Sequence, residues 1–123
     1  MNLIIDLDVG TDIIKIKANG SYTLEAAKNL FRNAIDSALH HHKSRVLIDV
    51  MNISGRSSFM DRYSISEHLA TYLMNAPDGK SIKIALVGNE PIVDNSKIVE
   101  TVAVNRGANL KVFSDPADAL SWL

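Results

Sequence analysis

Cysteine is absent from the 123 residues, and 13 Lys and Arg against 14 Asp and Glu leave no excess of either sign. Without thiols there is no disulfide framework, no thiolate metal site, no cysteine nucleophile and no redox pair. Nor is there the surplus of positive charge that drives binding to phosphate backbones through counterion release, and the basic residues are scattered rather than clustered. No apolar run approaches the ~20 residues of a membrane-spanning helix. The first residues have no basic segment and reach Asp6 and Asp8 before any apolar stretch of useful length, so no secretory signal is expected there. Together these absences point to a soluble cytoplasmic protein with no nucleic-acid partner and no transmembrane segment.

What is present is an ordinary globular balance, 46% hydrophobic and 22% charged residues, which excludes a disordered tail or a coiled-coil rod. A chain of this length supports one hydrophobic core, so a single domain over residues 1–123 is expected. Leu3, Ile4 and Ile5 begin a first strand. After a turn at Val9-Gly10-Thr11-Asp12, Ile13 to Ala18 alternates apolar and charged residues as a second, ended by Asn19-Gly20. Thr23 is suited to cap a helix whose apolar face carries Leu24, Ala27, Leu30, Phe31, Ala34, Ile35, Ala38 and Leu39, closing in His40, His41 and His42. Val46 to Val50 lacks alternation, as a strand covered on both faces should.

The polar stretch 52–58 predicts a loop, and a second helix follows with Phe59, Tyr63, Ser66, Leu69, Ala70 and Leu73 near one face, stopped by Pro77 and Gly79. Ile82 to Val87 predicts another buried strand, Ile98, Val99, Val102 and Ala103 a third helix, Leu110 to Phe113 a last strand, and Ser114 or Asp115 the cap of a final helix. The order is β-β-α-β-α-β-α-β-α. The expected fold class is α/β, a mixed and mostly parallel five-stranded sheet with four helices, the opening strand at an edge and antiparallel to the rest.

Loops at the carboxyl ends of parallel strands converge with helix N-termini, and three qualify: Ser54-Gly55-Arg56-Ser57-Ser58, Gly88-Asn89-Glu90-Pro91 and Ser114-Asp115. The first joins glycine flexibility, hydroxyls and a guanidinium at a helix start, a combination suited to an anion; its plainer role is that Ser57 or Ser58 caps the helix while Arg56 faces water. Phe59, Met60, Tyr63, Tyr72 and Met74 exceed what one inner stripe of the second helix requires, so some of them face outward or line a gap. Consecutive His40, His41 and His42 point about 100° apart on a helix and do not converge on one ion. Asp6, Asp8 and Asp12 lack the spacing of a calcium loop, and no cofactor or metal is implied. A Ser57, His68, Asp61 assembly would make a small hydrolase, but no nucleophile elbow accompanies it.

The element order, the strands Val46-Leu47-Ile48-Asp49-Val50 and Ile84-Ala85-Leu86-Val87-Gly88, the Phe59-Met60-Asp61 triplet and the closing Val112-Phe113 with Ala117 to Leu123 resemble the STAS domain of sulfate transporters and anti-sigma factor antagonists. The likeness spans nearly the whole chain and is strongest to the stand-alone bacterial STAS/SEC14-like proteins. Regulatory members of that family carry a phosphorylated Ser in an Asp-Ser-Ser-Gly motif after the triplet. Here Asp61 is followed by Arg62, Tyr63 and Ser64, and the loop from Asp49 to Asp61 is a few residues longer than usual. The resemblance therefore implies a non-enzymatic regulatory or binding module. Its surface would comprise Ser54, Gly55, Arg56, Ser57, Ser58, Phe59, Met60, Asp61, Tyr63 and Asn89, and its ligand would be a partner protein or a small amphipathic or anionic molecule. The alternatives are an anti-sigma-antagonist-type switch phosphorylated at Ser57, Ser58 or Ser64, and the hydrolase using His68 and Asp61. A homodimer through the edge strand Leu3–Ile5 or the second helix is a further expectation.

Overall fold

The computed structural model describes residues 3–89, 92 and 98–123. Five strands form one sheet in the order β1-β2-β3-β4-β5: β1 (Ile4–Val9), β2 (Ile13–Ser21), β3 (Arg45–Ser54), β4 (Lys83–Val87) and β5 (Asn109–Phe113). β1 is antiparallel to β2 and the remaining pairs are parallel. The helices are α1 (Leu24–His40), α2 (Phe59–Asn75), α3 (Ile98–Asn105) and α4 (Pro116–Trp122). The fold class and element order are those expected, with the opening strand at the antiparallel edge.

Because sequential parallel strands are also spatial neighbours, crossovers of one hand all return on the same side of the sheet. Helices α1, α2 and α3 accordingly share one core with Ile14, Ile16, Val46, Ile48, Val50, Ile84, Leu86, Leu110 and Val112. Among the described residues the opposite face is covered by α4, through Ala119 on Leu47, Ala85 and Val87, with Ile13, Phe113, Trp122 and Leu123 packed around them. Lys83 fastens α4 from β4: its Nζ sits 4.3 Å from the Trp122 ring centre and donates to the Trp122 carbonyl. β3 is the central strand. Val46 and Ile48 are fully buried, and each such aliphatic side chain contributes about 1.5–3 kcal/mol on leaving water.

Helix ends follow their local chemistry. Thr23 accepts from the Ala26 amide, Ser58 from the Asp61 amide, and Asp115 from the Ala117 amide with Pro116 following it. Each cap satisfies an amide that lacks a partner within the helix. At the end of α1, His42 takes a left-handed conformation, φ 55°, and the Lys43 amide returns to the Ala38 carbonyl at 2.8 Å.

Several boundaries differ from the sequence expectation. Asn19-Gly20 does not end β2, which runs to Ser21 past a register shift between Lys17 and Asn19. Nor does β3 stop at Val50. Its polar residues through Ser54 stay in the sheet because Asn52, Ile53 and Ser54 pair with Asn19, Gly20 and Ser21. The predicted loop thus shrinks, and Ser54 belongs to a strand. β1 extends to Val9, beyond the expected Leu3–Ile5 run. On α2, Phe59 is outside the buried face, which is formed by Ile65, Ser66, Leu69, Ala70 and Leu73. Glu90 and Pro91 of the second predicted loop lie outside the described residues.

A short 3-10 turn, Gly79–Ser81, joins α2 to β4. Gly79 is buried there, and a Cβ on it would lie 1.9 Å from the Leu73 carbonyl oxygen. Backbone, unlike the tip of a flexible side chain, cannot yield cheaply to that contact. Gly79→Ala is therefore expected to lower unfolding free energy by about 3 kcal/mol or more, while exposed Lys80→Ala stays within about 0.5 kcal/mol, both read from urea denaturation. Equal midpoints for the two variants would contradict this packing.

Candidate functional site

β3 ends at Ser54 and α2 starts at Phe59, so residues 55–58 turn the chain from the end of the central strand into a helix N-terminus. Gly55 makes that turn with φ 109°, a conformation L side chains avoid, and a Cβ there would come within 3.3 Å of the Tyr22 Cβ. The segments Ser21-Tyr22 and Ser54-Gly55 are tied together, the Tyr22 amide donating to the Ser54 carbonyl at 2.8 Å and the Ser54 hydroxyl to the Gly20 carbonyl at 3.2 Å.

Ser57 is buried and organises the interior of the turn. Its Oγ donates to the Ile92 carbonyl at 2.8 Å and accepts from Arg62 Nε at 2.8 Å. One hydroxyl thus ties the α2 start both to Ile92, beyond the end of β4, and to its own first turns. Beside it, Tyr22 donates its hydroxyl to Asp61 Oδ2 at 2.9 Å. Burial first, and then the Asp61 carboxylate, raise the Tyr22 pKa well above the usual phenol value. Beneath these groups lies a narrow cavity of about 40 Å³, lined by Phe31, Val50, Ile65, Leu86 and Val99 with Tyr22, Ser57 and Arg62 among its walls. Pockets for drug-sized ligands run to ~300–1,000 Å³, so the space is small for an enclosed ligand of that size.

The outer side of the same turn is apolar. Phe59 and Met60, adjacent in the first turn of α2, are 58% and 69% exposed, and Met51 on β3 is also exposed. Asn89 reaches across from the end of β4, its amide 3.4 Å from the Met51 sulfur. Arg56 is exposed, with no hydrogen bond or ion pair among the described residues. Tyr63 points elsewhere, accepting from Arg106 Nη2 at 3.0 Å, while the same guanidinium pairs with Glu67 at 2.9 Å.

Apart from Ser54, which ends β3, and Tyr63, which meets Arg106, the sequence-predicted residues divide into two groups. Gly55, Ser57 and Asp61 serve the inner network, whereas Arg56, Phe59, Met60 and Asn89 belong to the outer surface with Ser58 exposed at the cap. Arg62 and Tyr22 were missed. Arg62, not Arg56, meets the buried serine, and a position one turn into the helix with an apolar partner side is a signal that sequence spacing offers. Tyr22 and Asp61 are 39 residues apart, which no local pattern connects.

Ser57, His68 and Asp61 are not assembled as a triad. His68 Nε2 accepts from Arg32 Nη2 at 3.2 Å, and its ring stacks on Tyr72, whose hydroxyl donates to Asp36. Burial, followed by the charges of Arg32 and Lys28, lowers the His68 pKa and favours the neutral ring that the Arg32 contact requires. Among the described residues no three His, Asp or Glu side chains are grouped to hold a metal ion.

The SpoIIAA-like family matches residues 13–123 of this sequence. The chain belongs to that family. The structure is similar to an anti-sigma factor antagonist from Mycobacterium paratuberculosis, with TM-score 0.62 at 14% identity, covering 98% of this chain and 93% of that one. It is also similar to a protein with a SpoIIAA-like fold from Shewanella loihica PV-4, with TM-score 0.53 at 25% identity over 99% and 93% of the two chains. The anti-sigma factor antagonist SpoIIAA in its unphosphorylated form gives TM-score 0.53 at 11% identity over 97% and 96%. Comparison with curated protein sequences gives no match. The STAS resemblance read from the sequence agrees with this membership. No helix among the described residues of this SpoIIAA-like chain is long and apolar enough to cross a membrane.

Two outcomes follow from the inner network. Ser57→Ala strips a partner from both the Ile92 carbonyl and Arg62 Nε, and is expected to cost about 1–3 kcal/mol of unfolding free energy. A loss below that range in urea denaturation would show the bridge to be dispensable. Because the folded-state pKa of Tyr22 is raised, its contribution is complete below the unfolded phenol value of about 10 and is lost as pH climbs above it. Tyr22→Phe should therefore flatten the alkaline fall in stability, measured by melts from pH 8 to 11.

Proposed function

We propose that the protein is a non-enzymatic regulatory module that binds a partner protein through the outer surface of the β3–α2 turn, with Arg56, Ser58, Phe59, Met60 and Asn89 in contact and Met51 beneath them. The observation that carries this reading is the pair Phe59 and Met60, adjacent and both more than half exposed at a helix start. Apolar side chains placed together on a surface are a recurrent mark of interaction sites, and aromatic, Met and Arg residues are the types enriched there. Exposed Arg56 adds a positive charge on the rim, where it would tune partner choice and encounter rate.

A protein partner accounts for the site better than an enclosed amphipathic ligand, since the cavity beside Ser57 is narrow while the apolar groups point out of it. Support for the non-enzymatic part comes from the groups that catalysis would need. Ser57 is held by Ile92 and Arg62, Asp61 by Tyr22, and His68 by Arg32, so each of the three groups is engaged with a partner outside the set. A phosphorylated switch is less well supported: Ser57 is buried, and the exposed Ser58 caps the helix within one turn of the Asp61 carboxylate, which would repel added phosphate charge.

A photo-crosslinking side chain introduced at Met60 should trap a discrete partner in the native cells, and one at exposed Lys111 on β5 should not. Arg56→Glu combined with Phe59→Ser should abolish the Met60 adduct while shifting unfolding free energy by less than about 0.5 kcal/mol, because both side chains are exposed. Adducts that persist in the double variant, or that form equally from position 111, would refute this placement.

A further inference from the structure

The two edges of the sheet are finished differently. On β5 the Val112 amide donates to the Glu100 carboxylate of α3 at 2.8 Å, so a side chain occupies a donor on that edge. On β1 every strand pairing is with β2, and among the described residues its outer row of amides and carbonyls has no partner. β1 also projects beyond the helices: Ile5, Leu7 and Val9, on the helical side with Ile14, Ile16 and Ala18 opposite them, are 36%, 44% and 40% exposed. The family match begins at Ile13, so β1 is outside the residues on which the family membership rests.

The other face of β1 carries exposed Ile4 at its start and then Asp6 and Asp8. Each aspartate lies opposite a lysine of β2, Lys17 and Lys15 respectively, and among the described residues neither forms an ion pair within contact distance or a side-chain hydrogen bond. The inner edge of β1 therefore already receives a strand of defined character, Ile14-Lys15-Ile16-Lys17-Ala18, with apolar residues against apolar and cations against carboxylates. The outer edge offers the same pattern to a second strand. A second copy of β1 does not fit it. In antiparallel pairings that keep the faces matched and overlap most of the strand, carboxylate falls opposite carboxylate, Asp6 against Asp8 or either against itself. Like charges directly opposite are unfavourable, and opposite charges are favourable.

We propose that β1 is a receiving edge for an extended segment of a partner protein in which apolar and basic side chains alternate. Main-chain hydrogen bonds to the open edge supply the common part of the affinity, as in other strand-addition complexes. Ile5, Leu7 and Val9 then select apolar residues at every second position, and Asp6 and Asp8 select Lys or Arg between them. This surface is separate from the β3–α2 turn and does not depend on it.

The test uses the full chain and a fluorescein-labelled hexapeptide alternating Lys and Ile, with a Glu and Ile hexapeptide of equal length as its counterpart. Fluorescence anisotropy should show saturable binding of the basic peptide that weakens as salt is raised, and affinity lower by about tenfold or more for the acidic one. Asp6→Lys with Asp8→Lys should reverse that preference, which a variant that merely failed to fold would not do. Phe59→Ser with Met60→Ser should leave it unchanged, separating this edge from the turn. Equal binding of both peptides, no binding of either, or a homodimer by light scattering that Leu7→Lys dissociates would overturn the proposal, the last by assigning the edge to a second copy.

Discussion

The burial of β3 on both faces is the constraint from which the rest of the molecule follows. A strand with Val46, Ile48 and Val50 on one side and Leu47 on the other must have cover above and below. Three crossovers of one hand stack α1, α2 and α3 over the first side, and α4 is what remains for the second. Because β3 is ten residues long and pairs with β4 only from Arg45 to Asp49, its last residues project past its neighbour. That projection carries the chain to the turn at Gly55 and sets where α2 begins, so the site is a product of strand length as much as of loop sequence.

Most elements were legible because their signals are local. The apolar spacing of α1, the unbroken run at Val46 to Val50, and the caps Thr23 and Asp115 each lie within a few residues of what they determine. The errors at Asn19-Gly20 and at Asn52 to Ser54 have one cause. Both segments are polar or glycine-bearing, read singly as loop, yet each is the other's partner in the sheet. Pairing between residues more than thirty positions apart overrides local preference there, and it cannot be seen from either segment alone.

The candidate site shows the same division. Ser57, Phe59 and Met60 were identified because hydroxyls near a helix start and surplus apolar residues on a helix are visible in order along the chain. Whether a group faced inward or outward was not. Ser57 turned into the protein to meet Arg62 and Ile92, while Arg56 beside it stayed in water. The resulting turn has an interior that fixes its shape through hydrogen bonds and an exterior on which Phe59 and Met60 stand exposed. Rigid support beneath an adaptable apolar surface is the arrangement that lowers the ordering cost of binding.

The thin cover on the second face of the sheet has a consequence for biosynthesis. Leu47, Ala85 and Val87 are made well before Ala119 and Trp122, the residues that shield them. At ordinary rates of synthesis the interval lasts roughly seconds, ample time for helices α1 and α2 to close the other face. Until Lys83 receives the Trp122 ring, Leu47, Ala85 and Val87 have no helix over them. That cation–π contact makes the last helix a stopper on the second face of the sheet.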